Sequence, residues 1–178
     1  MQGTGNIGRA PVRGGAGSKL VVALATGFGL GYSPVASGTV GSLWGVLIVL
    51  GAQYLPGLGW QIALVAALSL AAIPICGHAE ERFGRKDDGR IVADEYVTLP
   101  IVLIGMLPAS GPVVDCWLVL TVAFVVHRVL DIIKPFPAGR LQDVRGGPGI
   151  VLDDVVSSAY AWLLVNFLLA IGFIRFHH

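Results

Sequence analysis

Five carboxylates stand at the edges of apolar runs in this 178-residue chain: Asp94 and Glu95 in IVADEYVTLPIVLIG, Asp131 in HRVLDIIKPFP, and Asp153 and Asp154 in GGPGIVLDD. An ionised carboxylate is costly beside a low-dielectric medium unless something pairs with it. Five of them together repel one another unless they are protonated or bridged by a divalent cation. Ligands that are all oxygen suit Mg²⁺, which commonly shares its coordination shell with a substrate phosphate. Taken singly, each acid has a plainer reading. An acid at a helix N-terminus favours the helix dipole, and Asp131 can pair with Arg128 or Lys134 at three-residue spacing. Taken together, on one face, the five read better as metal ligands.

Other residues could serve the same chemistry. Lys134 is followed by Pro135, which ends a helix and leaves the lysine at its C-terminus. It reads either as a complement to the helix dipole or as a phosphate ligand beside the metal. Two glycine-rich loops could cradle a phosphate with backbone N–H groups and hydroxyls. One is GFGLGYSPVASGTVGS, with Ser33, Gly38, Thr39, Gly41 and Ser42; the other is RGGPG, with Gly146, Gly147 and Gly149. Each taken alone is more often a plain turn or a close helix contact, and neither carries the Gly-Lys-Ser/Thr of a Walker loop. Cys76 and Arg82 match the Cys-x5-Arg spacing of cysteine phosphatases, but Glu80 and Glu81 between them would repel a phosphate dianion. His127 beside Arg128 reads as structural.

These groups must be positioned by membrane helices. Hydrophobic residues make up 54% of the chain and charged residues only 13%, where a soluble domain carries roughly 25% charged residues. Mean hydropathy is +0.76. The length suits one domain, residues 19–178, behind a Gly-rich tail, 1–18, that reads as disordered and lacks the apolar core of a signal peptide. A net charge of +1 gives no footprint for nucleic acid, and Cys76 and Cys116 read as buried free thiols.

Apolar runs fall at about 20–30, 40–55, 61–76, 97–107, 116–127 and 155–174. A transmembrane helix needs roughly 20 residues. The last run meets that, 40–55 and 61–76 form a helical hairpin through Pro56-Gly57-Leu58-Gly59, and 97–107 with 116–127 form short tilted spans or a re-entrant hairpin about Pro108–Pro112. The expected fold is therefore all-α: a polytopic helical membrane bundle with short re-entrant helices. Ten of the eleven acids lie in 78–95 or 131–154, and eleven of the twelve basic residues lie in the tail through Lys19, in 82–90 or in 128–145. Two returning hairpins put these segments on one face, which the Lys/Arg excess makes cytoplasmic.

The stretches GFGLGYSPVASGTVGSLWG (27–45), DDGRIVADE (87–95), HRVLDIIKPFP (127–137) and GGPGIVLDD (146–154) together resemble the phosphatidylglycerophosphatase A family over most of residues 20–170. The resemblance implies a small helical Mg²⁺-dependent enzyme of the bacterial inner membrane. Such an enzyme hydrolyses phosphatidylglycerol phosphate to phosphatidylglycerol and phosphate. It also implies that the family's acidic motif falls on Asp94 and Glu95, its Asp-x-x-Lys-Pro motif on Asp131, Lys134 and Pro135, and its terminal acidic pair on Asp153 and Asp154. The Ser-Pro and Gly-Thr-x-Gly-Ser elements fall on Ser33, Pro34, Gly38, Thr39, Gly41 and Ser42. Thr98, His127 and Ser37 depart from the family's pattern. The expected activity is a lipid phosphate monoesterase at the cytoplasmic leaflet of the bilayer, with catalysis by Asp94, Glu95, Asp131, Lys134, Asp153 and Asp154. The rivals are a metal-dependent transferase acting on phosphorylated lipids and a small ion-binding transporter.

Overall fold

The computed structural model describes residues 16–106 and 117–173. Among the described residues the secondary structure is helical, without strands. In chain order the helices are α1 (Ala16–Ala25), a 3-10 turn (Leu30–Tyr32), α2 (Ser37–Gly41), α3 (Leu43–Ala52), α4 (Leu58–Phe83) and α5 (Ala93–Thr98). A 3-10 helix (Leu99–Leu103) continues α5, followed by α6 (Trp117–Ile133), α7 (Ala138–Leu141) and α8 (Gly147–Ala170).

Local chemistry accounts for the boundaries. Helix α4 stops at Gly84, whose left-handed φ of 67° suits a residue without a β-carbon and whose N–H caps the Glu80 carbonyl. Helix α6 stops before Pro135, which has no N–H to offer. Lys134 there takes a φ of +47°, which residues with a β-carbon rarely adopt. Helix α8 opens with Pro148 in its first turn, where the missing N–H has no partner to lose.

Helices α4, α6 and α8 frame the molecule. The first turn of α8 lies directly on α4: a β-carbon on Gly147 would stand 1.8 Å from the Ile73 carbonyl oxygen, so only glycine allows that approach. Helices α6 and α8 run antiparallel, with His127 against Ser158 and Lys134 against Asp153. The inward face of α8 has three zones. Ile150 and Val151 belong to one apolar core, Ala161 and Val165 to another, and between them Asp153, Asp154, Ser157 and Ser158 are buried. A polar layer is thus sealed between two apolar cores.

Helices α4 and α8 are long and apolar enough to cross a membrane; at 1.5 Å per residue they measure about 39 and 36 Å, against a hydrocarbon thickness of about 30 Å. Only 22% of the most apolar stretch of α4 is buried, and 44% of that of α8. Leu70, Leu163 and Phe167 lie exposed on these helices, as suits an apolar surrounding.

The expected segments differ in detail. The tail expected through residue 18 is helical from Ala16. The 40–55 run is interrupted at Ser42, whose hydroxyl bonds back to the Gly38 carbonyl at 2.8 Å, so α3 has only 10 residues and packs on α5 and the 99–103 helix. The 97–107 run is two short helical pieces with Leu99, Pro100, Val102 and Leu103 buried in protein, as a re-entrant segment requires. Asp153 and Asp154, expected ahead of the last helix, lie within it, because α8 starts at Gly147. The Pro108–Pro112 turn and Cys116 lie outside the described residues.

Candidate active site

The polar layer is built from α5, the end of α6 and the second turn of α8. Helix α5 has two faces. Ala93, Tyr96 and Val97, at spacings of three and four, line an apolar groove with Leu24, Phe28 and Trp44. Asp94 and Glu95 lie in its first turn, where acids favour the helix dipole, and face the other way.

Glu95 is held by two donors. Arg128 Nη1 donates to its Oε2 at 2.5 Å, and Ser42 Oγ lies 2.9 Å from the same oxygen, its single proton shared between that oxygen and the Gly38 carbonyl. Its Oε1 lies against Gly38, where an added β-carbon would come to 2.1 Å. The glycine at position 38 therefore gives the carboxylate its room. Arg128 Nη1 also donates to Asp131 Oδ2 at 2.8 Å, so one guanidinium nitrogen ties Glu95 to Asp131. Arg128 Nε is buried without a partner. Lys134 donates to Asp153 Oδ2, which answers a charge that is only 1% exposed.

The remaining carboxylate oxygens are left over. Asp94 Oδ1, Asp153 Oδ1 and Asp154 Oδ2 are buried with no hydrogen-bond partner, in residues that are 6%, 1% and 2% exposed. Burial, together with the Glu95 and Asp131 charges, pushes Asp94 well above the usual carboxylate range. Burial pushes Glu95 up to about 7, against the opposing pull of Arg128. Burial alone would lower Lys134; the Asp153 carboxylate, with Asp154 and Asp131 nearby, outweighs it and holds the ammonium above its ordinary value. Orphaned buried oxygens are rare in folded proteins, and hard carboxylate oxygens are the donors Mg²⁺ takes. The donor chemistry, carboxylate oxygen alone, suits such an ion. Among the described residues no three His, Cys, Asp or Glu side chains stand already gathered at metal-binding distance, so ligation requires side chains to turn toward a common centre.

Gly38 and Ser42 thus reach the acids through Glu95, while Gly41 packs on Val92 and Thr39 lies on the same turn. Ser33 does not: its hydroxyl donates within its own loop to the Val35 carbonyl at 2.9 Å. Gly146, Gly147 and Gly149 do not either. Gly149 packs on the Val144 carbonyl, and Gly146 and Gly147 line a cleft of about 1300 Å³ with Arg82, Arg85, Lys86 and Arg145 in which none of the five carboxylates takes part. From Gly147 to Asp153 the helix rises about 9 Å, enough to separate that loop from the acids.

Cys76 is fully buried inside α4, and the same continuous helix carries Arg82. Its backbone N–H groups are used by the helix, so no phosphate loop exists there. The three positions that depart from the family's pattern have structural partners. Thr98 donates to the Asp94 carbonyl at 2.7 Å, Ser37 to the Gly89 carbonyl at 2.6 Å, and His127 Nδ1 meets Ser158 Oγ at 3.1 Å. Arg128 is the residue sequence reasoning undervalued. Its three-residue spacing to Asp131 was visible, but its bond to Glu95 spans 33 residues.

The model of the phosphatidylglycerophosphatase A family matches residues 23–169. Phosphatidylglycerophosphatase A of Escherichia coli K12 is 34% identical, over 82% of this chain and 81% of its own length. That of Haemophilus influenzae is 37% identical, over 80% and 84%. A Bacteroides thetaiotaomicron protein provisionally named a phosphatidylinositol-3-phosphatase is 34% identical, over 83% and 92%. No solved structure matches the chain.

Proposed function

For a chain that belongs to the phosphatidylglycerophosphatase A family, we propose that the buried carboxylate layer hydrolyses phosphatidylglycerol phosphate to phosphatidylglycerol and phosphate. The reaction takes place at the cytoplasmic face of the inner membrane and depends on Mg²⁺. The observation that carries this reading is the set of orphaned oxygens on Asp94, Asp153 and Asp154 beside Lys134. Such oxygens are expensive to bury unless a cation completes them.

Asp94, Glu95, Asp131, Asp153 and Asp154 supply the cation site. When bound, Mg²⁺ would neutralise phosphoryl oxygens and activate a water for in-line attack. Lys134, poised on Asp153 and partly exposed, swings one donor to the phosphoryl group and offsets its growing charge. The apolar cores on either side of the layer keep bulk water out, which strengthens these electrostatic contacts. The lipid's acyl chains stay in the bilayer along the exposed apolar faces of α4 and α8, so only the headgroup enters. The chain then crosses the membrane more than once, with α4 and α8 as spans.

The test is phosphate release by the purified protein from phosphatidylglycerol phosphate in mixed micelles, with Mg²⁺ or with EDTA. Phosphatidylinositol 3-phosphate serves as the competing substrate. Turnover in Mg²⁺ that EDTA abolishes is expected. Metal-independent turnover refutes the mechanism, and preference for the inositol lipid refutes the substrate. Transfer to an acceptor alcohol, or ion flux in liposomes without phosphate release, would establish one of the rivals instead.

A further inference from the structure

We propose that the apolar groove between α3 and α4 seats one acyl chain of the lipid substrate, behind the helix whose other face carries Asp94 and Glu95. The inference rests on the lipid-phosphatase reading above and deepens it: a chain that stays at membrane depth along α4 is given a fixed place there. Helices α3 and α4 are consecutive, yet they scarcely touch. Both pack on α5 instead, and the gap left between them is a groove of about 450 Å³, within the size range of ligand sites.

The lining suits hydrocarbon. Trp44 and Tyr96 are part of it, and each commits its polar atom to the backbone. Trp44 Nε1 donates to the Gly27 carbonyl at 3.0 Å, and the Tyr96 hydroxyl donates to the Leu24 carbonyl at 2.9 Å. The rings are left to present apolar surface. Phe28 meets Trp44 edge to face, with ring centroids 5.7 Å apart. Its φ of +55°, between the left-handed Gly27 and Gly29, is one that residues with a β-carbon rarely adopt, and such strain gathers at ligand clamps. Phe28 and Leu47 are both exposed, so the groove opens sideways at the surface.

Its depth matches a lipid. Ala72, Cys76, Ala93 and Val97 share one core, which sets that turn of α4 level with α5 and its acids. From Ile75 to Leu68 the groove follows α4 for about 10 Å. It runs back toward the start of the helix, within an apolar stretch that protein leaves mostly uncovered. The aromatic rings stand at the end near the acids; Leu47 and Ile48, further along α3, and Leu68 line the other. Aromatic residues at headgroup level above aliphatic ones follow the layering of a bilayer. Helix α5 has six residues, about 9 Å of length. The phosphodiester and two glycerols between an acyl ester and the terminal phosphate let the lipid bend round it.

The test uses the full chain in phosphatidylcholine nanodiscs. The probe is phosphatidylglycerol phosphate with a photoactivatable diazirine midway along one acyl chain. Hydrolysis does not touch the chain, so the label survives turnover. Mass spectrometry after photolysis is expected to place adducts on Leu47, Ile48 and Leu68. Excess unlabelled phosphatidylglycerol phosphate should suppress them, and excess phosphatidylcholine should not. Adducts confined to the outward Leu70, Leu163 and Phe167, or suppression by both lipids alike, overturns the inference. A dimer whose groove is closed to the probe overturns it too. Ala71→Phe gives a second readout, because Ala71 is exposed and lines the groove, where a ring would fill the space. The ratio of kcat/KM for the dioleoyl lipid to that for the deacylated, water-soluble headgroup should fall at least about tenfold, the scale of lost apolar pocket contacts. An unchanged ratio, or equal loss on both substrates, overturns the inference. No phosphate release from either substrate by wild type refutes the phosphatase reading, whereas absent groove adducts with intact hydrolysis refute the groove alone. Should Ala71→Phe fail to fold, the labelling of wild type decides.

Discussion

Replacing Gly38 with alanine tests whether Glu95 is held in place as described. The new β-carbon would sit 2.1 Å from Oε1 and 2.6 Å from Oε2 of Glu95. Ordinary contact begins at 3.4 Å, so the carboxylate must recede by about 1.3 Å, measured against the close packing of protein interiors. A free side chain would simply swing away. This one is fixed by Arg128 at 2.5 Å and Ser42 at 2.9 Å, and moving it breaks at least one bond to a charged group, a loss of about 1.5–3 kcal/mol. Alanine in place of glycine within α2 returns about 1 kcal/mol of helix propensity. The net destabilisation is then about 0.5–2 kcal/mol, which for a chain of this size lowers Tm by roughly 1–8 °C. Thermal unfolding of the detergent-solubilised protein reads it, and activity on the lipid should fall in parallel. The decisive control is a double-mutant cycle with Glu95→Ala, which removes the clashing atoms. In that background Gly38→Ala should be neutral or slightly stabilising. Equal destabilisation in both backgrounds would refute the reasoning, since the penalty would then come from somewhere other than Glu95.

Three further outcomes follow from the same geometry. Asp94→Asn and Asp131→Asn should each lower kcat by at least about a hundredfold, as for loss of a group stabilising transition-state charge, whereas Cys76→Ser should stay within about twofold because the thiol takes no part in phosphate chemistry; a phosphate-release assay separates them. Lys134→Ala leaves the buried Asp153 charge unpaired and should cost about 3–5 kcal/mol in unfolding experiments, while Lys134→Arg should recover most of that stability. Divalent-metal affinity should fall as pH drops through about 7. The Glu95 carboxyl is pushed up to about 7 and Asp94 is raised by burial and its acidic neighbours, so below that pH protons compete with the ion. The ion-free protein runs the opposite way with pH: a raised carboxyl contributes stability that is present below its unfolded value and is lost as pH rises toward 7. Titration calorimetry at several pH values checks the first, and Tm against pH in EDTA checks the second. Affinity that does not change between pH 6 and 8 would contradict the account.

The sequence by itself determined the helical class and the presence of the long apolar helices α4 and α8. Each of these rests on composition, hydropathy and turn chemistry, which act over a few residues. Pro135 ends α6 and Pro148 opens α8 wherever the chain goes next. The location of Asp153 and Asp154 inside α8 was less legible, because two acids look like a helix boundary until a buried polar layer is there to receive them. Only the tertiary structure decided which charge answers which. Arg128 meets Glu95 across 33 residues, Gly38 gives that same carboxylate its space across 57, and the glycines at 146, 147 and 149 serve packing and a separate basic cleft. Local pattern cannot reveal such pairings. They depend on which faces of α2, α5, α6 and α8 are turned toward one another, and that is settled by the packing of the two apolar cores around the layer.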